Sequence, residues 1–240
     1  NTKTLYKALN RLDISPADIS FDIELAAYIL KPSASDYQLS NLCAEYNVAL
    51  PVVTGCDEEN AKICAALPFL KETLENKLIS LGADKLFYDI EMPLAKVLAD
   101  MELQGFGIDA DGIEKYGIIL EEKISAYKQQ IYDLAGCEFN INSPKQLGEI
   151  LFVKLGLPAG KKTKTGYSTN ADVLEGLKYS HPIIEPVIEY RGLCKLKSTY
   201  CDGLLKVVTD DGRIHSSFNQ TETRTGRISS TEPNLQNIPV

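Results

Sequence analysis

Long apolar runs are missing from this 240-residue chain. None approaches the roughly 20 residues that a membrane-spanning helix requires, so no membrane partner is expected. No basic, apolar, small-residue leader is recognisable either, and the expected location is the cytoplasm. Histidine is scarce, with only His181 and His215. The six cysteines (Cys43, Cys56, Cys64, Cys137, Cys194 and Cys201) show no C-x-x-C spacing. A zinc site therefore lacks its usual donor pattern, and the expectation is reduced, mostly buried thiols and no metal bound by this chain. Cys194 and Cys201 are too far apart for a disulfide within one helix. An overall excess of positive charge is also missing: the net charge is −8. The deficit is not evenly spread. Residues 1–136 carry 12 Lys and Arg against 22 Asp and Glu, whereas residues 137–240 carry 13 against 11. A nucleic-acid surface depends on a local basic face rather than on the total, so any such face belongs to the second half. With 44% hydrophobic and 24% charged residues, the remainder is ordinary globular composition. The chain opens on Asn1 rather than Met and closes inside its most polar motif, which we read as a segment of a longer protein.

That closing motif, residues 218–240, holds the hydrogen-bond donors Asn219, Gln220, Arg224, Arg227, Asn234, Gln236 and Asn237, with only Glu222 and Glu232 interrupting them. Gly226 permits close backbone approach, and Arg227 sets a forked, permanent cation beside it. Pro233 and Pro239 stiffen the second half.

Upstream, residues 1–87 read as mixed helix and strand. Leu5, Ala8, Leu9 and Leu12 have helical spacing. An apolar helix begins at Phe21-Asp22 and ends near Lys31-Pro32, another short helix lies between Tyr37 and Tyr46, and Asp57-Glu58-Glu59 starts a helix over 58–66, with Pro68 beginning a fresh one to about Ser80. Asp22 and Glu24 have the spacing of a metal pair, but acids in the first turn of a helix are the better reading. Residues 88–136 read as a helical pair. Met92-Pro93-Leu94 opens the first helix, with an apolar stripe of Leu94, Val97, Leu98 and Met101. Asp109 caps the second, where Ile113, Tyr116, Leu120, Ile124, Tyr127, Ile131 and Leu134 make a coiled-coil-like seam.

Further on, Asn140-Ile141-Asn142-Ser143-Pro144 is a helix start, with Ser143 as cap and Pro144 in the first turn. Its free N–H groups suit a phosphate. Lys161, Lys162, Lys164, Thr165 and Ser168 lie in a stretch with lysines, hydroxyls and a glycine but no acid, a composition that suits a nucleic-acid backbone. Pro182 begins a last long helix to about Val208, with a buried stripe of Tyr190, Leu193, Leu196, Tyr200, Leu204 and Val207. Arg191, Lys195, Ser198 and Thr199 fall on another face, a row of two cations and two hydroxyls. Asp210-Asp211-Gly212 is a turn, and Arg213–Asn219 alternates as a strand. His215 on that strand has no partner spacing for catalysis. The fold class expected is mainly α with some β.

The order Thr225-Gly226-Arg227-Ile228-Ser229-Ser230, then Pro233-Asn234-Leu235-Gln236-Asn237-Ile238-Pro239, closely resembles a signature of the family A DNA polymerases. The resemblance continues through Asn142-Ser143, Leu155-Gly156-Leu157-Pro158, Lys164-Thr165-Gly166 and Ser168-Thr169, similar to the thumb tip, and through 190–200, similar to the helix joining thumb to palm. It implies a truncated 3′–5′ exonuclease-like region at 1–87 with an RNase H-like fold, a thumb at 88–212 with its connecting helix at 88–104, and the start of the palm at 213–240. It implies DNA contacts at Asn140, Asn142, Ser143, Lys161, Lys162, Lys164, Thr165, Ser168, Arg191, Lys195, Ser198, Thr199, Arg224, Arg227, Asn234, Gln236 and Asn237. Arg227 and Asn234 to Asn237 would lie toward the minor groove, where every base pair presents acceptors whatever its sequence.

The implied parent is a DNA-directed DNA polymerase that extends a primer with deoxynucleoside triphosphates and two Mg²⁺ ions held by palm aspartates. Those aspartates follow the closing motif in the family. This chain alone is therefore expected to be inactive, to bind no cofactor, and to bind primer–template DNA as a monomer. In the exonuclease motifs of the family, an Asn and a Tyr are each followed four residues on by Asp. Here Asn1 is followed by Leu5, and an ungapped alignment puts Ile63 and Leu67 at the other pair. Leucine cannot hold a catalytic ion, so 1–87 is read as inactive. The rival readings are an active nuclease and a non-enzymatic helical scaffold that uses the 113–134 seam for a protein partner.

Overall fold

The computed structural model describes residues 1–15, 19–49, 58–158, 162–163 and 166–239, with only the backbone of Glu58–Asn60, Ile63, Lys162 and Thr163. The chain divides into two compact units, Asn1–Phe106 with His215–Asn237, and Gly107–Ile214 with Ile238–Val240.

The first unit begins with helices α1 (Thr2–Arg11), α2 (Ile23–Leu30), α3 (Leu39–Glu45) and α4 (Glu58–Leu81). The described part of 1–87 is helix and loop without a strand, in place of the mixture read from the sequence. Helix α4 is continuous through Pro68 rather than restarting there. Proline removes one ladder bond, to the Cys64 carbonyl, but Cys64 and Pro68 face solvent. The buried column Ala66, Leu70, Leu74 and Leu78 runs unbroken past it, and each fully buried leucine contributes about 2 kcal/mol. This column packs against Leu25, Ala26 and Ala27 of α2 and Leu42 and Cys43 of α3, with Phe87 completing the core.

A π-helical turn, Leu86–Glu91, leads without a break into α5 (Met92–Gln104), so the helix starts upstream of Met92-Pro93. Its buried face is Met92, Ala95, Leu98, Ala99 and Glu102, and the expected stripe members Val97 and Met101 are exposed. The reason lies in α1, which packs on α5. Leu5 of α1 and its C-cap Leu12 are exposed, while Lys3 and Lys7 both pair with Glu102, the former at 2.7 Å. Glu102 also accepts from the Phe218 N–H at 2.8 Å. Burial raises this carboxyl, but the two lysines and the N–H outweigh it and hold it below the ordinary carboxylate range.

The returning segment carries β5 (Ser217–Asn219) and β6 (Ser229–Thr231), an antiparallel pair that aligns Phe218 with Ser230. His215 Nδ1 sits 2.8 Å from the Glu102 carbonyl, so it carries the proton and donates. Gln220 donates to Glu91 Oε2 at 2.7 Å and Tyr28 to the Thr223 carbonyl at 2.7 Å. Strands β1 (Phe106–Gly107) and β4 (Arg213–Ile214) are two residues each.

The second unit is built on α6 (Ala110–Ala135), capped by Asp109 and ended by Gly136 in the left-handed region at φ 66°. Then come α7 (Pro144–Gly148), a π-helical turn Glu149–Lys154, the two-residue strands β2 (Lys162–Thr163) and β3 (Gly166–Tyr167), α8 (Ala171–Gly176), α9 (Ile184–Leu196), a second π-helical turn Lys197–Cys201 and α10 (Asp202–Leu205). Within this unit α6 packs against this last helical run. Gly117 faces Cys201, Glu121 pairs with Lys197, and Tyr127 shares a groove with Glu189 and Leu193, so the two run antiparallel. The buried seam of α6 is Gly117, Leu120, Ile124, Ile131 and Ala135, while Tyr116 is exposed. Beneath it lies a core of Ile141, Leu147, Leu151, Leu174, Ile183, Ile184 and Val187. Helix α9 starts at Ile184, two residues beyond Pro182, and the π turn inserts extra backbone into the 3.6-residue repeat. The expected stripe therefore breaks: Leu204 is buried, Tyr190, Leu193, Leu196 and Tyr200 are half-buried, and Val207 is exposed.

Candidate nucleic-acid interface

In the second unit, α6, α9, the following π turn and the 140–143 turn enclose a cleft of about 520 Å³ whose lining includes Asn142, Arg191, Lys195 and Ser198. Four sequence-expected residues thus converge, from two segments about 50 positions apart. The turn is set by Asn140, whose Oδ1 accepts from Asn142 N–H at 3.0 Å and whose carbonyl accepts from Ser143 N–H at 3.0 Å. Ser143 is the N-cap of α7, its Oγ accepting from Gln146 N–H. Asn142 is left exposed at the rim.

Lys195 is exposed and, among the described residues, its ammonium has no hydrogen-bond or ion-pair partner. Ser198 donates to the Lys195 carbonyl at 3.4 Å. Thr199 is exposed but does not line the cleft. Ser168 is half-buried between β3 and α8. Lys161, Lys164 and Thr165 lie outside the described residues, and for Lys162 the backbone pairs with Tyr167.

Arg191 differs from its neighbours. It is half-buried, and its Nε and Nη2 donate to the Ile141 carbonyl at 3.2 and 3.0 Å, while Nη1 donates to the Thr169 carbonyl at 2.6 Å and to Thr169 Oγ1 at 3.3 Å. Burial lowers the pKa of the guanidinium. It lines the same cleft as Lys195 and Ser198 but is held by backbone oxygens, whereas Lys195, Ser198 and Thr199 are exposed.

The cleft also holds groups that sequence reasoning missed. Lys197 pairs with Asp202 at 3.0 Å and Glu121 at 3.4 Å, and the Asp202 hydrogen bond is the main cause of its raised pKa. The Tyr190 hydroxyl is pushed up to about 12, by burial first and then by its hydrogen bond with Cys194. Of the two lysines in Lys195-Leu196-Lys197, the first is free and the second compensated.

The closing motif belongs to the first unit. Arg224 and Arg227 are exposed there, and among the described residues their side chains have no partner. Asn234 Oδ1 accepts from Gln236 N–H at 2.9 Å, and Gln236 Nε2 donates to the Ile228 carbonyl at 2.6 Å. Asn237 is exposed beside them. The loop is held from beneath by two buried hydroxyls that the sequence did not single out. Ser216 and Ser230 are 2.8 Å apart; Ser216 donates to the Pro233 carbonyl at 2.7 Å, and Ser230 accepts from Leu235 N–H at 3.0 Å. A polar residue on the strand that alternates from Arg213 was the available signal.

The first unit has its own cleft, about 560 Å³, lined by Asn1, Leu5, Ile19, Phe21, Asp22, Tyr37, Leu39, Leu67 and Lys71 among others. Leu5 and Leu67, the two leucines expected at exonuclease carboxylate positions, both face it. Ile63 has no described side chain. Asp22 is the N-cap of α2: its Oδ1 accepts from Glu24 and Leu25 N–H, and its Oδ2 accepts from Thr2 N–H. Glu24 accepts from Asn1 and Thr221, each at 2.9 Å. The acid pair is thus a cap and a tether.

A profile of DNA polymerase family A matches residues 110–240, more than half of the chain, and the chain belongs to that family. A second profile, for the ribonuclease H-like domain of DNA polymerase I, matches residues 1–53. Among known proteins the chain is similar to DNA polymerase I of Bacillus subtilis strain 168, at 43% identity over all of this chain and 29% of that protein. It is 44% identical to DNA polymerase I of Geobacillus stearothermophilus, again over all of this chain and 29% of the relative. The chain therefore spans less than a third of these curated relatives. Among solved structures it resembles the POL domain of Pol1 from M. smegmatis in complex with DNA primer-template and dNTP, with TM-score 0.86 and 35% identity over all of this chain and 42% of that one. These matches bear out the resemblance read from the closing motif and the mainly helical fold with an RNase H-like beginning.

Proposed function

We propose that this chain grips primer–template DNA within a DNA-directed DNA polymerase that extends a primer 3′ end on a DNA template. The observation that carries the reading is the cleft of the second unit, where the unpaired Lys195 ammonium shares one concave surface with the donors Asn142 and Ser198. Glu121 and Asp202 in the same lining are taken up by Lys197, which leaves one unpaired cation and two neutral donors, a set that suits a phosphodiester backbone and holds it without reading sequence. The exposed Arg224 and Arg227 of the closing motif suit the acceptors that every base pair presents in the minor groove. The DNA primer-template in the solved neighbour supports the same partner.

Deoxynucleoside triphosphates and Mg²⁺ are partners of the longer protein in this reading. Among the described residues no three His, Cys, Asp or Glu side chains converge as a metal site. The residues present do not fit a pair of catalytic ions, and no chemical step is assigned to them. The segment alone binds and does not polymerise. The ribonuclease H-like match at 1–53 favours a second reading, a 3′–5′ exonuclease, but Leu5 and Leu67 in the first cleft and the capping role of Asp22 oppose it.

Fluorescence anisotropy with a primer–template duplex at two salt concentrations tests the main reading. Binding is expected to weaken with salt, and Lys195→Ala is expected to lower the slope of log affinity against log salt by about 0.9. Salt-independent binding, or none at low salt, contradicts it. In parallel, Mg²⁺ with deoxynucleotides or with single-stranded DNA is expected to give neither extension nor nucleotide release; either product overturns the corresponding assignment.

A further inference from the structure

The guanidinium of Arg191 is engaged on two sides by neutral oxygens. Ile141 and Thr169 come from loops 28 positions apart in the sequence, and their residues are 2% and 4% exposed. Among the described residues no other donor reaches either carbonyl. Buried carbonyls without a donor are costly, so a single side chain satisfies both loops at once. Only a planar fork can do this, with Nε and Nη2 converging on one oxygen while Nη1 turns to the other. What it ties down is informative. Ile141 immediately precedes Asn142 and Ser143, and Thr169 lies between Ser168 and the α8 cap Asn170, whose Oδ1 accepts from Val173 N–H at 3.1 Å. The elements next to these loops also meet: at Gly148 of α7 an added Cβ would lie 3.2 Å from the Cβ of Tyr167 in β3.

We infer that Arg191, although it lines the cleft, is a positioning residue for DNA binding: its fork fixes the 140–143 and 168–170 loops, so that Asn142, Ser143 and Ser168 present their donors in one register, and it is not itself a phosphate ligand. This rests on the DNA-gripping function proposed above. Two consequences separate it from direct contact. Asn and Ser contacts release no counterions, so losing their alignment weakens binding without changing the salt slope. Lysine keeps the charge but cannot reproduce the fork, so Arg191→Lys is as damaging as Arg191→Met.

The experiment is a salt titration of primer–template binding for the whole chain as wild type, Arg191→Lys, Arg191→Met and Asn142→Ala/Ser168→Ala, and for Arg191→Lys in the latter background. Arg191→Lys and Arg191→Met are each expected to weaken binding about tenfold, with the wild-type slope and unchanged circular dichroism. In the Asn142→Ala/Ser168→Ala background, Arg191→Lys is expected to cost less than about twofold, because what it positions is already gone. Thr169→Val, which deletes one acceptor and leaves the fold's carbonyl contacts in place, is expected to weaken binding about twofold at the wild-type slope. It keeps the inference testable if the arginine variants misfold. Near wild-type affinity for Arg191→Lys together with a slope lowered by about 0.9 for Arg191→Met would assign Arg191 to phosphate contact and overturn the inference. So would a Thr169→Val variant that binds like wild type. Failure of the wild-type chain to bind in a salt-dependent way would instead sink the DNA-gripping function itself.

Discussion

The two units each contain a cleft of similar size, about 560 Å³ in the first and about 520 Å³ in the second, and their linings have opposite chemistry. The first is walled mainly by Leu5, Ile19, Phe21, Leu39 and Leu67, with its acids Asp22 and Glu24 engaged, the former in capping α2 and the latter by Asn1 and Thr221. The second is walled by Asn142, Lys195, Lys197, Ser198, Glu121 and Asp202. Volume therefore does not distinguish them. The difference lies in how the charged groups are engaged: the Lys195 ammonium is unpaired, whereas Asp22 caps α2 and Lys71 lies over the Phe21 ring at 5.8 Å. The ribonuclease H-like match covers residues 1–53, and Leu5 and Leu67 face the first cleft; the proposed reading, binding without exonuclease chemistry, rests on that lining.

The largest effect that would sharpen this comparison is charge reversal. Lys195→Glu is expected to weaken primer–template binding about a hundredfold at low salt, through loss of a charge-assisted contact and addition of repulsion. The matching reversal in the first cleft, Lys71→Glu, is expected to change it less than about twofold. Anisotropy on both variants checks this, and equal losses would break the distinction between the clefts.

Next in size is the support behind the first cleft. Glu102→Ala leaves Lys3 and Lys7 without their shared carboxylate and is expected to cost about 2 kcal/mol in urea unfolding. The folded-state pKa of Glu102 lies below its ordinary value of 4.5. Its stabilisation is therefore complete above that value and is lost as pH falls through the folded-state pKa. Unfolding followed from pH 6 down to pH 3 is expected to show this loss in the wild type, and a smaller one in Glu102→Gln.

The smallest expected effect is on the leucines. Leu5→Asp/Leu67→Asp is expected to leave primer–template affinity within about twofold and to create no Mg²⁺-dependent nuclease, since Asp22 remains tied to backbone N–H groups. Release of nucleotides from single-stranded DNA by this variant would show the cleft to be two side chains away from activity.

Residue order made the family and much of the helical frame legible. Asp109 and Ser143 cap the helices they were expected to cap, because a short polar side chain before an apolar run is a local signal; Asp22, expected within the first turn, is instead the N-cap of α2. Where the reading slipped, the cause was tertiary. The face of α5 follows Lys3 and Lys7 of α1, which reward a buried Glu102 over Val97 and Met101. The π turn at Lys197–Cys201 inserts backbone that a 3.6-residue period cannot foresee, and this moves Val207 out of the buried stripe. The spacing of Arg191 and Lys195 indicates a shared helix face, but nothing in it reveals that two buried carbonyls wait beside the first and none beside the second. Ser216 was equally hidden, since its partners Ser230 and Pro233 are 14 and 17 positions away.

The most direct test compares both clefts in one sample: backbone amide chemical shifts of the whole chain, followed by NMR while primer–template DNA is titrated in. The account predicts graded perturbations at Asn142, Ser143, Lys195 and Ser198, with Leu5, Ile19, Leu67 and Lys71 unmoved. Perturbations centred on the first cleft, with the second silent, would contradict it.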